Sequence, residues 1–204
     1  MKKLFISILF SLFFISCLDY TQYVTIDEND NISVIAIATV AKSMIELAAL
    51  SEGYEDNVPD RYYDEILSDM EKEAKSSYPR NFKFKRINND NEVGLYINGT
   101  VKKSDLKDSD SYLLPIRTGN KFMFTPFDNS ENENTSEYNE YSSMLSSMKM
   151  KLIVSKSYIP TISSCYISSY DELRNINVYD LKDSFLIELP IFAEISNPVL
   201  YIEL

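Results

Sequence analysis

YTQYVTIDENDNISVIAIATV, residues 20–40, decides how the rest of the chain is read. Tyr20, Val24 and Ile26 alternate with Thr21 and Thr25, the pattern of a strand with one buried side. The polar run DENDN at 27–31 marks a turn, and from Ile32 to Val40 the chain is again apolar and rich in β-branched residues. Two such runs around a turn predict a hairpin. Its second strand is apolar on both faces, so it is expected inside a sheet and not at an edge.

Beyond Val40 the period lengthens. Ala41, Met44, Ile45 and Ala48 fall at i, i+3, i+4 and i+7, with Lys42 and Glu46 on another face, which predicts a short helix to about Ser51, closed near Gly53. A stronger helix is predicted from Asp60 to Ser76, with Tyr63, Ile66, Leu67, Met70 and Ala74 on one stripe. Asp60 suits its cap, Asp64 and Glu65 its first turn and Lys72 and Lys75 its last, and Pro79 lies beyond the end. Both helices are one-sided and are expected to lie on a sheet.

Further on, Asn81–Ile87 with Val93–Val101 and Tyr112–Arg117 with Lys121–Phe127 read as two more hairpins, separated by a polar turn or single helical turn over Ser104–Asp110. The run DNSENENTSEYNEYSS at 128–143 has almost no aliphatic content and is expected to be a mobile loop inserted within one sheet. Met148, Met150, Leu152 and Val154 then alternate as a half-buried strand, and Ile162–Ser168 and Asn175–Tyr179 are shorter strand segments. Phe185 to Ile195 keeps strict period two but is interrupted by Pro190, which places that strand at an edge or on a bulge, and Val199–Leu204 forms a last strand. The expected fold class is α+β, an antiparallel sheet built from hairpins with two helices packed on one face and residues 17–204 as a single domain.

Composition removes several functions. With 31 acidic against 20 basic residues the net charge is −11, and no basic cluster is longer than Lys102-Lys103, so neither nucleic acid nor anionic headgroups are expected as general partners. The absence of histidine removes the commonest general base, the usual partner of a nucleophile and every histidine-containing metal site. Gly53, Gly94, Gly99 and Gly119 fit no phosphate-cradling loop. Reading Asp27, Asn29 and Asn31 as calcium ligands puts Ile32 where the EF-hand turn requires glycine and Ala38 where its bidentate glutamate belongs, and the loops at Asn88 and Asp108 fail in the same way. No carboxylate pair stands out for glycoside cleavage. No enzyme activity, cofactor or metal is therefore expected. Cys165, in the apolar-leaning segment 162–167, reads as a small buried strand residue. The tyrosines and phenylalanines either line an apolar cavity walled by the two helices or fill the core.

On the other side of the hairpin stands MKKLFISILFSLFFISC, residues 1–17. Lys2 and Lys3 form a basic start, and the apolar run from Leu4 to Ile15 is too short for a bilayer core of about 30 Å. A cleaved secretory signal is the reading it supports.

Phe14-Ile15-Ser16-Cys17 resembles a bacterial lipobox. The resemblance implies a signal peptide over 1–16, a diacylglyceryl thioether on Cys17 as the lipid attachment site, and a mature domain held in the cell envelope by its acyl chains. Inner and outer membrane both stay open. With Cys17 acylated, Cys165 has no partner for an intramolecular disulfide. The start Cys17-Leu-Asp-Tyr20, leading into the alternation of 23–39, and the late strands from Met148 to Tyr179 are similar to LppM-type lipoproteins. That likeness implies an apolar pocket suited to lipid. The expected function is a non-enzymatic, membrane-anchored envelope lipoprotein binding a lipid or other amphiphile. The alternative is an interaction or structural module that meets another envelope protein.

Overall fold

The computed structural model describes residues 18–51, 59–125, 149–169, 172–190 and 199–204. The leader with Cys17, Gly53, the 128–143 loop, Met148 and the strand continuation to Ile195 lie outside the described residues.

The predicted first hairpin forms from β1, Leu18–Ile26, and β2, Asn31–Ala41, in a continuous register from Leu18 opposite Val40 to Ile26 opposite Ile32. Asp27 shapes the turn, because its Oδ1 accepts the backbone amides of Asn29 at 2.8 Å and Asn31 at 2.9 Å. Asp30 takes the left-handed conformation there, with φ of 57°, which aspartate tolerates better than bulkier residues. Two helices follow, α1 over Lys42–Ser51 and α2 over Asp60–Ser77. Asp60 is the first helical residue and not the cap. Pro59 holds the cap position without a side-chain bond, and Asp60 adds negative charge to the first turn, where the helix dipole favours it.

Next come β3, Lys83–Asn88, and β4, Glu92–Lys102, the second predicted hairpin. Short 3-10 turns over Lys103–Asp105 and Asp108–Tyr112 fill the polar connection. The third hairpin is smaller than predicted: β5 covers only Ile116–Thr118 and β6 Lys121–Phe124. The 3-10 turn extends to Tyr112, and Pro115, which has no amide to donate, directly precedes β5. Gly119 closes the hairpin turn with φ of 68°.

The remaining strands are β7, Lys149–Ser155; β8, Ser164–Ser169; β9, Glu172–Asn175; β10, Val178–Asp180; β11, Ser184–Pro190; and β12, Val199–Glu203. The expected run Asn175–Tyr179 is divided, since Asn175 ends β9 in one sheet and Val178 starts β10 in another. The strand carrying Pro190 is not an edge strand, since β11 lies between β10 and β7. β10 starts only opposite Ile187, so at Pro190 the one described neighbour is Lys149 of β7, which leaves no described ladder partner on the other side for a residue without an amide proton.

The strands make two sheets where the sequence suggested one. The first runs β10-β11-β7-β1-β2-β4-β3 and the second β5-β6-β12-β8-β9. The first is mixed, because β7 lies parallel to β1, from Lys149 beside Asp19 to Val154 beside Val24. A parallel neighbour needs a crossover and not a hairpin, so local alternation carries no sign of it. As predicted, β2 is internal, between β1 and β4.

The two sheets share one core. Val24, Val34, Leu95, Leu152 and Ile187 of the first pack with Phe122, Phe124, Ile167, Leu200 and Ile202 of the second. At the other end of the same sheet face, Val93 meets Ile45 of α1 and Tyr63 and Leu67 of α2. Val93, Leu95 and Ile97 alternate along β4 and therefore share a side, so the helices and the second sheet cover different stretches of one face. The fold is thus mostly β, with two helices. Each large apolar side chain buried in this way contributes roughly 1.5–3 kcal/mol.

Candidate functional site

One end of the seven-stranded sheet brings together the first described residue of β1, two ion pairs and an asparagine-fixed turn. Within the described residues, β1, β4 and β7 start at this end, and β2, β3 and β11 finish there. Leu18, the residue after Cys17, is already opposite Val40 in the ladder. The predicted attachment residue itself lies outside the described residues, and the first described residue after it is already paired. Asp19 carries an ion pair to Lys151, with Nζ 3.4 Å from Oδ2, and accepts the Thr21 hydroxyl. Lys149 meets Glu188 at 3.2 Å. The β3–β4 turn is fixed by Asn89, whose side-chain oxygen accepts the amides of Asn91 and Glu92 at 2.9 and 3.0 Å. Lys42, the first residue of α1, donates its amide to the Asn91 carbonyl at 2.8 Å, which ties the start of the helix to this turn.

The residues predicted to wall a cavity do come together under α2. Leu67 is 1 % exposed, and the Tyr63 hydroxyl donates to Oε1 of Glu46 at 2.9 Å. Burial and then the Glu46 carboxylate push the Tyr63 phenol up to about 12. Ile66 packs at the margin of this cluster, while Met70 and Ala74 reach the main core. A described depression of about 370 Å³ lies elsewhere, lined by Ser33, Ile35, Asn81, Lys83, Asn98 and Thr100 among others. Ser33, Ile35, Asn98 and Thr100 occupy the ladder positions that alternate with the buried Val34 and Ile97, so the depression opens on the face turned away from the core.

A polar seam inside the core was not anticipated. Gln22 is 1 % exposed; its Nε2 donates to the Leu113 carbonyl at 2.6 Å, and its Oε1 accepts the Tyr20 hydroxyl at 3.0 Å. The Tyr20 and Tyr78 hydroxyls stand 3.1 Å apart. Burial first, and then the neighbouring Tyr78, raises the Tyr20 phenol well above its usual value, and burial also raises Tyr78. The signal lay in the alternation, since Gln22 stands in phase with Tyr20, Val24 and Ile26, on the inward side.

Cys165 is buried, as expected, and burial pushes its thiol up to about 12, which keeps it protonated and unreactive at neutral pH. Among the described residues no group of three or more carboxylates or thiols is placed to hold a metal ion. The Asp27 carboxylate is committed to its own turn, where Asn31 before Asn29 holds it below the usual carboxylate range. No described helix is long and apolar enough to cross a membrane. No family model, no curated protein and no solved structure matches the chain.

Proposed function

We propose that the chain is a bacterial cell-envelope lipoprotein in which residues 1–16 act as a signal peptide and Cys17 carries the lipid anchor. Residues 17–204 form one strand-dominated α+β domain held at the membrane, acting by binding and not by catalysis. The observation that carries the reading is the leader itself, with Lys2 and Lys3, a short apolar run from Leu4 to Ile15, and Ser16 directly before Cys17. Two or three acyl chains at about 0.8 kcal/mol per buried CH₂ hold such a domain stably at a bilayer. The likeness to LppM-type lipoproteins is proposed on the same grounds. In detergent phase separation of cell extracts, the wild-type protein partitions with the detergent and Cys17→Ser with the aqueous phase. Equal partitioning contradicts the anchor.

Two binding modes follow from this reading, an amphiphile held in an apolar pocket and an interaction module that meets another envelope protein. Mass spectrometry of residues 18–204 after gentle purification separates them. The interaction module carries no lipid, and stoichiometric copurifying lipid favours the pocket.

A further inference from the structure

We infer that the domain stands end-on at the bilayer, with the sheet end formed by Leu18, Lys42, the Asn89–Glu92 turn and Lys149 against the lipid headgroups and the Asp27–Asn31 turn pointing away. The inference rests on the proposed acylation of Cys17 and adds to it an orientation and a lipid-facing surface. Consecutive Cα atoms are about 3.8 Å apart across a trans peptide, so the anchored residue lies that close to Leu18 whatever its conformation. Leu18 is in register with Val40, and Asp19 is flanked on both sides, by Thr39 of β2 and Lys149 of β7. The start of β1 therefore does not serve as a flexible tether unless pairing to two neighbours is broken. β1 is also the fourth of the seven strands, so the anchor sits at the middle of the sheet end and not at a corner. At this end Lys151 pairs with Asp19 and Lys149 with Glu188, and Lys42 lies over the Tyr63 ring, so the end gains its place from the covalent link and not from excess positive charge. At about 3.3 Å per residue, the nine residues of β1 carry the Asp27–Asn31 turn roughly 30 Å from the anchor end.

Depth-dependent quenching tests this on the full acylated protein. Asn91→Cys and Asn29→Cys variants are labelled with a thiol-reactive fluorophore and reconstituted in phosphatidylethanolamine and phosphatidylglycerol vesicles with a headgroup-bound quencher. Both positions lie in exposed turns, and the protein without either substitution reports any label on the buried Cys165. A separation of roughly 30 Å predicts at least about threefold stronger quenching at 91 than at 29. Inserting about ten Gly and Ser residues between Cys17 and Leu18 removes the difference, because a flexible linker of that length frees the domain. Equal quenching at both positions, or stronger quenching at 29, in protein whose acylation is verified by mass overturns the orientation while leaving the anchor intact. Absence of the acyl adduct overturns the proposed function itself.

Discussion

Gln22 in β1 donates its side-chain amide to the Leu113 carbonyl at 2.6 Å, joining the middle of the seven-stranded sheet to the segment that leads into the second sheet. The bond spans 91 positions of sequence, and both groups are buried. A buried acceptor left without its donor costs about 1–3 kcal/mol. Gln22→Leu strands the Leu113 carbonyl and is expected to lower the unfolding free energy by that amount in urea titration. Thr25→Ala, on the exposed side of the same strand, is expected to stay within about 0.5 kcal/mol. Equal effects at the two positions contradict the seam.

Leu67 fills the contact between α2 and Val93 of β4 and is 1 % exposed. Leu67→Ala is expected to cost about 2–5 kcal/mol by chemical denaturation. If the site takes up an amphiphile, adding it restores part of that loss, because the ligand fills the space. In a dry contact, added amphiphile changes nothing. A cost under about 0.5 kcal/mol contradicts the packing of α2 on the sheet.

Local patterns carried the elements and not their pairing. The alternation of 20–40 announced β1 and β2, and the stripe Tyr63, Ile66, Leu67, Met70 announced α2, because each depends on near neighbours in sequence. The division into two sheets was hidden, since the buried sides of β6, β8 and β12 look the same whether they pack on a helix or on another sheet. Parallel pairing of β7 with β1 joins residues 130 positions apart, from Asp19 to Lys149, and no turn sequence marks it. In the site, the proposed attachment at Cys17 rests on the leader sequence alone, since that residue lies outside the described residues. The seam of Tyr20, Gln22, Tyr78 and Leu113 was not legible, apart from the inward phase of Gln22.

Gly94 in β4 faces Thr39 of β2 at a close approach of the two strands. A Cβ added at Gly94 would overlap the Ala38 carbonyl oxygen and crowd Thr39, and backbone on that side has no room to yield. Gly94→Ala is therefore expected to destabilise by about 1–3 kcal/mol, although alanine is the better residue in an unconstrained strand. Thermal unfolding of the variant checks the sign.

Glu71 on α2 lies between Lys75 and Arg86, with Arg86 Nε 2.7 Å from its Oε2. Lys75 first and Arg86 second hold its carboxyl below the ordinary value of 4.5. A carboxyl depressed in the folded state contributes fully above its unfolded value and loses that contribution as pH falls through the folded one. The wild type is expected to exceed Glu71→Gln in stability at neutral pH by a small margin, because the pair is at the surface. The margin shrinks as pH falls below the ordinary glutamate range. A margin that grows toward acid contradicts the assignment.

The central proposal is that Cys17 bears the lipid anchor. Metabolic labelling with radioactive palmitate, comparing the wild type with Cys17→Ser, tests it most directly. The account predicts label on a mature chain that begins at Cys17 in the wild type and an unlabelled full-length precursor in the variant. Label that persists in Cys17→Ser, or a wild-type chain that is never labelled, contradicts it.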